Sequence, residues 1–152
     1  MRVAAFVAAA VVAALSLPPA AHAALKPFVG PAGWDHAVQG TPSPGAPHAQ
    51  ETWKKSDGES LVELDDGDLS YDDTIALVQK NIASNGLHPA INRDRTCAGG
   101  RAHELEETFG TSIVHQLIVD DNPGVTKLTY IRAAGQPVDP AVSAAFAAYC
   151  GS

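Results

Sequence analysis

His103, Glu107 and His115 come closest, by type and spacing, to a reactive set. Two imidazoles and a carboxylate are the ligands of many catalytic zinc sites. If the chain pairs about Gly110, strand alternation sends positions 103, 105, 107, 113, 115 and 117 to one face. Leu105, Ile113 and Leu117 share that face, so it reads equally as core with a satisfied histidine or two. A register change of one residue would disperse the set. The second feature is an acidic run, Glu63, Asp65, Asp66, Asp68, Asp72 and Asp73. Calcium wants several hard oxygens, yet an EF-hand loop counted from Asp66 has Tyr71 where glycine belongs and Leu77 where glutamate belongs. Asp-Asp-Gly-Asp is also a good turn, and Asp72 and Asp73 suit a helix N-terminus, so the run is expected to be solvated.

Weaker signals complete the chemical inventory. Arg93, Arg95 and Arg101 could gather near Cys97 and bind an anion, although such clusters are usually just solvated. His36 beside Asp35, and His48, fall in a loop-rich stretch and are expected on the surface. No G-x-S-x-G elbow, H-E-x-x-H helix or Walker loop occurs, and Ser60, Ser70 and Ser112 lack a nucleophile context. Gly99-Gly100 is too short for a phosphate cradle. No catalytic residue and no cofactor is assigned. His103, Glu107 and His115 stand as metal-ligand candidates only.

The elements that must position these residues follow from local pattern. Thr52–Lys55 and Ser60–Leu64 read as short strands joined at Ser56-Asp57-Gly58, where Asp-Gly favours a hairpin. Ser70 and Asp73 form a capping box, and Tyr71, Ile75, Val78 and Ile82 recur on one helical face until Asn85-Gly86 stops it. Leu87–Cys97 is expected to be extended. Arg101–Phe109, Ser112–Asp120 and Val125–Arg132 then read as three strands of an antiparallel meander, because only short turn sequences separate them. Asp139-Pro140 starts a second helix whose stripe is Val142, Phe146 and Tyr149, closed by Gly151. The expected fold class is α+β, an antiparallel sheet with two main helices.

Three segments divide the chain: a signal peptide over residues 1–23, a Pro/Gly-rich lead-in over 24–50, and the α+β domain over 51–152. The signal consists of Arg2, the apolar run Val3–Leu17, and Ala21-His22-Ala23 before Ala24. Its apolar run is shorter than the roughly 20 residues that span a bilayer. The lead-in is either an ordered strand with a long loop or a mobile arm, and Trp34 argues that part of it packs on the domain. Export, to the periplasm or the medium, puts Cys97 and Cys150 in an oxidising compartment. Without a C-x-x-C spacing they read as a structural disulfide. The formal charge of −7 and the absence of a basic stripe argue against nucleic acid and anionic lipid. No stable membrane insertion is expected after cleavage, and the partner is an unknown protein or small ligand.

Several features together resemble the PsbP-like class of small bacterial domains. They are Pro31-x-Gly33-Trp34, Trp53 in an early strand, the capped mid-chain helix, the meander ending Leu128-Thr129-Tyr130-Ile131, and the terminal helix. The resemblance implies an α/β/α sandwich and a binding or accessory role without catalysis. The cysteine pair is not a hallmark of the photosynthetic members. The expected function is a non-catalytic exported protein of the envelope or medium. The alternative is a metal-dependent hydrolase using the His103, Glu107 and His115 face.

Overall fold

The computed structural model describes residues 25–39 and 50–151. The expected signal peptide and His48 lie outside them. In chain order the elements are β1 (Asp35–Gln39), β2 (Gln50–Lys54), β3 (Ser60–Asp66), α1 (Tyr71–Asn85), β4 (Ile91–Cys97), β5 (Gly100–Phe109), β6 (Ser112–Asp120), β7 (Val125–Ala133) and α2 (Pro140–Cys150). The strands form one seven-stranded sheet in the order β1-β2-β3-β7-β6-β5-β4. Every pairing is antiparallel. The expected hairpin and meander are both present, and β3 joins them by pairing with β7 from Ser60↔Ile131 to Asp66↔Val125.

The helix ends follow their caps. Ser70 Oγ accepts from Asp73 N at 3.2 Å, and Gly86 closes α1 at φ 59°, a conformation that favours glycine. The box is not reciprocal, because the Asp73 carboxylate accepts the Ser70 hydroxyl at 2.7 Å instead of a backbone N–H. Asp139 Oδ1 accepts from Ala141 N at 2.7 Å and starts α2 with Pro140 in its first turn.

The register sorts side chains onto two faces. On the first, Leu61, Leu117, Leu128 and Tyr130 pack against Val142, Phe146 and Tyr149 of α2. On the second, Ile118 and Val125 meet Tyr71, Ile75 and Val78 of α1. One helix therefore covers part of each face. No helix among the described residues is long and apolar enough to cross a membrane.

Two devices tie the chain ends to the larger core. Cys97 and Cys150 lie at disulfide distance, Sγ–Sγ 2.19 Å, and beside them Ala98 N donates to Tyr149 O at 2.8 Å. The C-terminal helix is thereby pinned to the β4–β5 turn. The lead-in contributes an ordered edge strand, β1, which pairs with β2 from Asp35↔Lys54 to Gln39↔Gln50. Ahead of it, Phe28 sits edge-on to Trp53 and Tyr149, with ring centroids 5.5 and 5.4 Å away. Trp34 packs at 6.3 Å from the Tyr130 ring. A Cβ on Gly30 would overlap the Trp53 indole, so only glycine lets the lead-in pass this close.

Candidate functional site

The β5–β6 register separates the histidine set. Phe109 pairs with Ser112 across the two-residue connection Gly110-Thr111, so Glu106 opposes His115 and His103 opposes Ile118. Paired residues share a face, which places His115 with Glu104 and Glu106 under α2, and His103 with Glu107 under the other face. The expected convergence is corrected on this point: His115 is divided by the sheet from the other two. His103 and Glu107 are themselves about 13 Å apart along the strand, at roughly 3.3 Å per residue. Among the described residues, no three His, Cys, Asp or Glu side chains are grouped to hold a metal ion.

Each histidine has its own internal partners. His103 Nδ1 is 2.8 Å from Asp94 Oδ1, and its Nε2 is 2.7 Å from Asn92 Oδ1. His115 Nε2 lies 3.0 Å from Glu104 Oε1. Its Nδ1 faces Glu106 Oε2 at 3.3 Å without hydrogen-bond geometry. Burial pushes the His115 pKa down against the pull of Glu104 and Glu106, so the ring is neutral near pH 7 and donates through Nε2–H. Arg132 Nη1 sits 3.2 Å from Glu106.

The arginines also divide. Arg93 and Arg95 reach Glu104 at 2.7 and 3.1 Å. Burial raises the Glu104 pKa, but the hydrogen bond from Arg93 and the charge of Arg95 outweigh it and hold the carboxyl below its ordinary range. Arg101, on the opposite face, pairs with Asp72 at 3.0 Å and Asp120 at 2.8 Å and lies over the Tyr71 ring at 4.6 Å. The cleft of about 550 Å³ beside it is therefore lined by charges that already neutralise one another. A smaller cleft of about 230 Å³ brings Ser143 beside Glu104 and His115. It does not make a nucleophilic triad, because both imidazole nitrogens face carboxylates and neither is placed to take the serine proton.

A third buried cluster, unannounced by any motif, organises the start of α2. Glu59 is 3% exposed and accepts from the Tyr130 hydroxyl and from Gln136 Nε2, the latter at 2.6 Å. Tyr130 Oη in turn accepts from Asp139 N at 3.2 Å, and Lys55 Nζ donates to Asp139 Oδ2 at 2.6 Å. All these groups are used by the fold.

The acidic run is split by strand alternation. Asp66 pairs with Lys127 at 2.8 Å, while Asp72 and Asp73 lie in the first turn of α1. Glu63 and Asp65 point to the other face, into a cleft of about 300 Å³. Glu51 from β2 and Asp121 from the β6–β7 turn join them there, and Tyr149 of α2 and Phe28 of the lead-in supply aromatic walls. The cleft is acidic. Glu51 reaches His36 at 2.9 Å, and Thr126 Oγ1 lies 2.9 Å from Asp65 Oδ1 and 3.4 Å from Asp121 Oδ2. Lys26 directs its ammonium to Ala148 O at 3.1 Å, at the end of α2.

Glu63 and the Tyr149 hydroxyl make no hydrogen bond or ion pair among the described residues, although Tyr149 is only 5% exposed. Burial, reinforced by Asp65 and Glu51, pushes the Glu63 pKa up to about 7. Burial and the carboxylates of Glu63, Asp121 and Asp65 likewise push the Tyr149 phenol up. The acidic run flags Glu63 and Asp65, but no signal in the sequence joins them to the rest of the site, since its groups come from β2, β3, a turn, α2 and the lead-in. Comparison of the chain with protein-family models, curated proteins and solved structures finds no match.

Proposed function

We propose that the chain is an exported, disulfide-stapled binding or accessory domain of the PsbP-like sandwich type, acting without catalysis in the periplasm or medium. The placement of α1 and α2 on opposite faces of one antiparallel sheet supports the sandwich assignment. One observation carries the binding role. His103, His115, the arginines of the described residues and Glu59 have partners within the fold, whereas the cleft between the lead-in and the sheet keeps Glu63 and the Tyr149 hydroxyl without partners among the described residues. Groups left in this way are available to a ligand. The hydrolase alternative lacks such support, because its three residues do not share a face.

The test is a thermal-shift screen of the exported chain against small molecules, repeated on Glu63→Gln. Ligands that raise the melting temperature of the parent but not of the variant support the reading. Turnover of ester or phosphate substrates that disappears in His115→Ala would overturn it.

A further inference from the structure

We infer that the cleft between β3 and the lead-in is a site for a small organic ammonium ion, an inference that rests on the binding role proposed above. Glu51, Glu63, Asp65 and Asp121 surround it, and Lys26 turns its charge to a backbone carbonyl at its rim. Among the described residues, four carboxylates against one ammonium make the lining predominantly negative, which favours a cation over an anion. The independent mark of a ligand is Tyr149: the residue is nine-tenths buried and lines the cleft, yet its hydroxyl has no hydrogen bond among the described residues. A phenol oxygen accepts an N–H from an ammonium, and the Glu63 carboxylate beside it, unpaired among the described residues, supplies the opposite charge.

The walls choose between an organic cation and a metal. Phe28 and Tyr149 meet edge to face at 5.4 Å, with Leu25 and Pro27 continuing the apolar side. Aromatic and aliphatic walls suit an alkyl chain carrying a charged end. The carboxylates are spread around the cleft, and no three of them are grouped to hold a metal ion. A volume of about 300 Å³ fits a small amine.

Binding should strengthen as pH rises through the Glu63 titration near 7, because an ammonium pairs with the ionised carboxylate. Among the described residues, the other charged groups facing the site are Glu51 of β2, itself beside His36 of β1, Asp65 of β3, Asp121 of the β6–β7 turn and Lys26 of the lead-in. Tyr149 of α2 stays protonated throughout, its pKa raised by burial and by the carboxylates.

The probes are n-butylammonium chloride, 1-butanol and calcium chloride, titrated into the exported protein at pH 8 and followed by NMR shifts at Glu63, Tyr149 and Phe28. Butylammonium is expected to move these signals saturably, and 1-butanol is not. Glu63→Gln should weaken butylammonium about tenfold, the scale of one charge-assisted hydrogen bond, and Tyr149→Phe by a few-fold. Neither change removes a hydrogen bond seen among the described residues, so both variants should fold. Equal binding of 1-butanol, or an unchanged affinity in Glu63→Gln, overturns the ammonium assignment. Calcium binding at the same residues in place of butylammonium overturns it while leaving a binding cleft in place. Shifts from none of the probes overturn both.

Discussion

Reduction of the Cys97–Cys150 bridge isolates a single physical effect. Its ends are 53 residues apart and enclose β5, β6, β7 and α2. Loop closure over that length restricts the unfolded chain by about 4 kcal/mol at 25 °C. The folded state changes little, because Cys97 is 1% exposed and a reduced thiol still packs as a small hydrophobe. The backbone bond from Ala98 to Tyr149 also stays available. The loss should therefore approach the full entropic figure, and the melting temperature should fall by roughly 10–15 °C for a domain of this size. The assay is urea unfolding followed by fluorescence of Trp34 and Trp53, with and without reductant. The denaturant slope should rise on reduction, since the freed chain exposes more surface. A Cys97→Ala, Cys150→Ala variant should reproduce the reduced protein within the cost of two small side chains. A stability change below about 1 kcal/mol on reduction would refute the reasoning.

Four further outcomes follow from the packing. Glu59→Ala should cost about 3 kcal/mol by urea unfolding, because it strands the Tyr130 hydroxyl and the Gln136 amide at the start of α2. Gly30→Ala should cost roughly 1–3 kcal/mol and red-shift the tryptophan emission, since its Cβ displaces the Trp53 ring. His115 has a folded pKa below its ordinary 6.5, so the unfolded state takes up the proton first and stability falls as pH drops from about 6.5 toward the folded value. Chemical denaturation across that range should show the slope in the parent and lose it in His115→Gln. Glu63, with its folded pKa raised to about 7 from 4.5, acts with the opposite sign: stability falls as pH rises from 4.5 through 7, and Glu63→Gln should remove that fall.

Much of the fold was legible because its signals are local. Asp-Gly, Asn-Gly and Asp-Pro fixed the hairpin, the end of α1 and the start of α2 within a few residues of sequence. β1 was harder, since it pairs with β2 across residues 40–49 and its contact with the core, His36 stacked on Trp53, is not written in a local pattern. The candidate metal set failed through one turn. A pivot at Gly110 alone puts odd positions of β5 opposite odd positions of β6, whereas the two-residue connection Gly110-Thr111 puts odd opposite even. Glu104 and Glu106 gave no signal because charged residues alternating along a strand read as its solvent side. They are drawn inward by Arg93, Arg95 and Arg132, which arrive from β4 and β7. The acidic cleft is non-local in the same way: alternation along β3 sends Glu63 and Asp65 to one face and Asp66 to the other.

Native and denaturing intact mass of the protein recovered from periplasm or medium tests the proposal of an exported, stapled binding domain most directly. The account predicts a chain beginning at Ala24, lighter by two hydrogens than its reduced form, that releases a small basic molecule when denatured. A chain still carrying residues 1–23, with both thiols free and nothing released on denaturation, would contradict it.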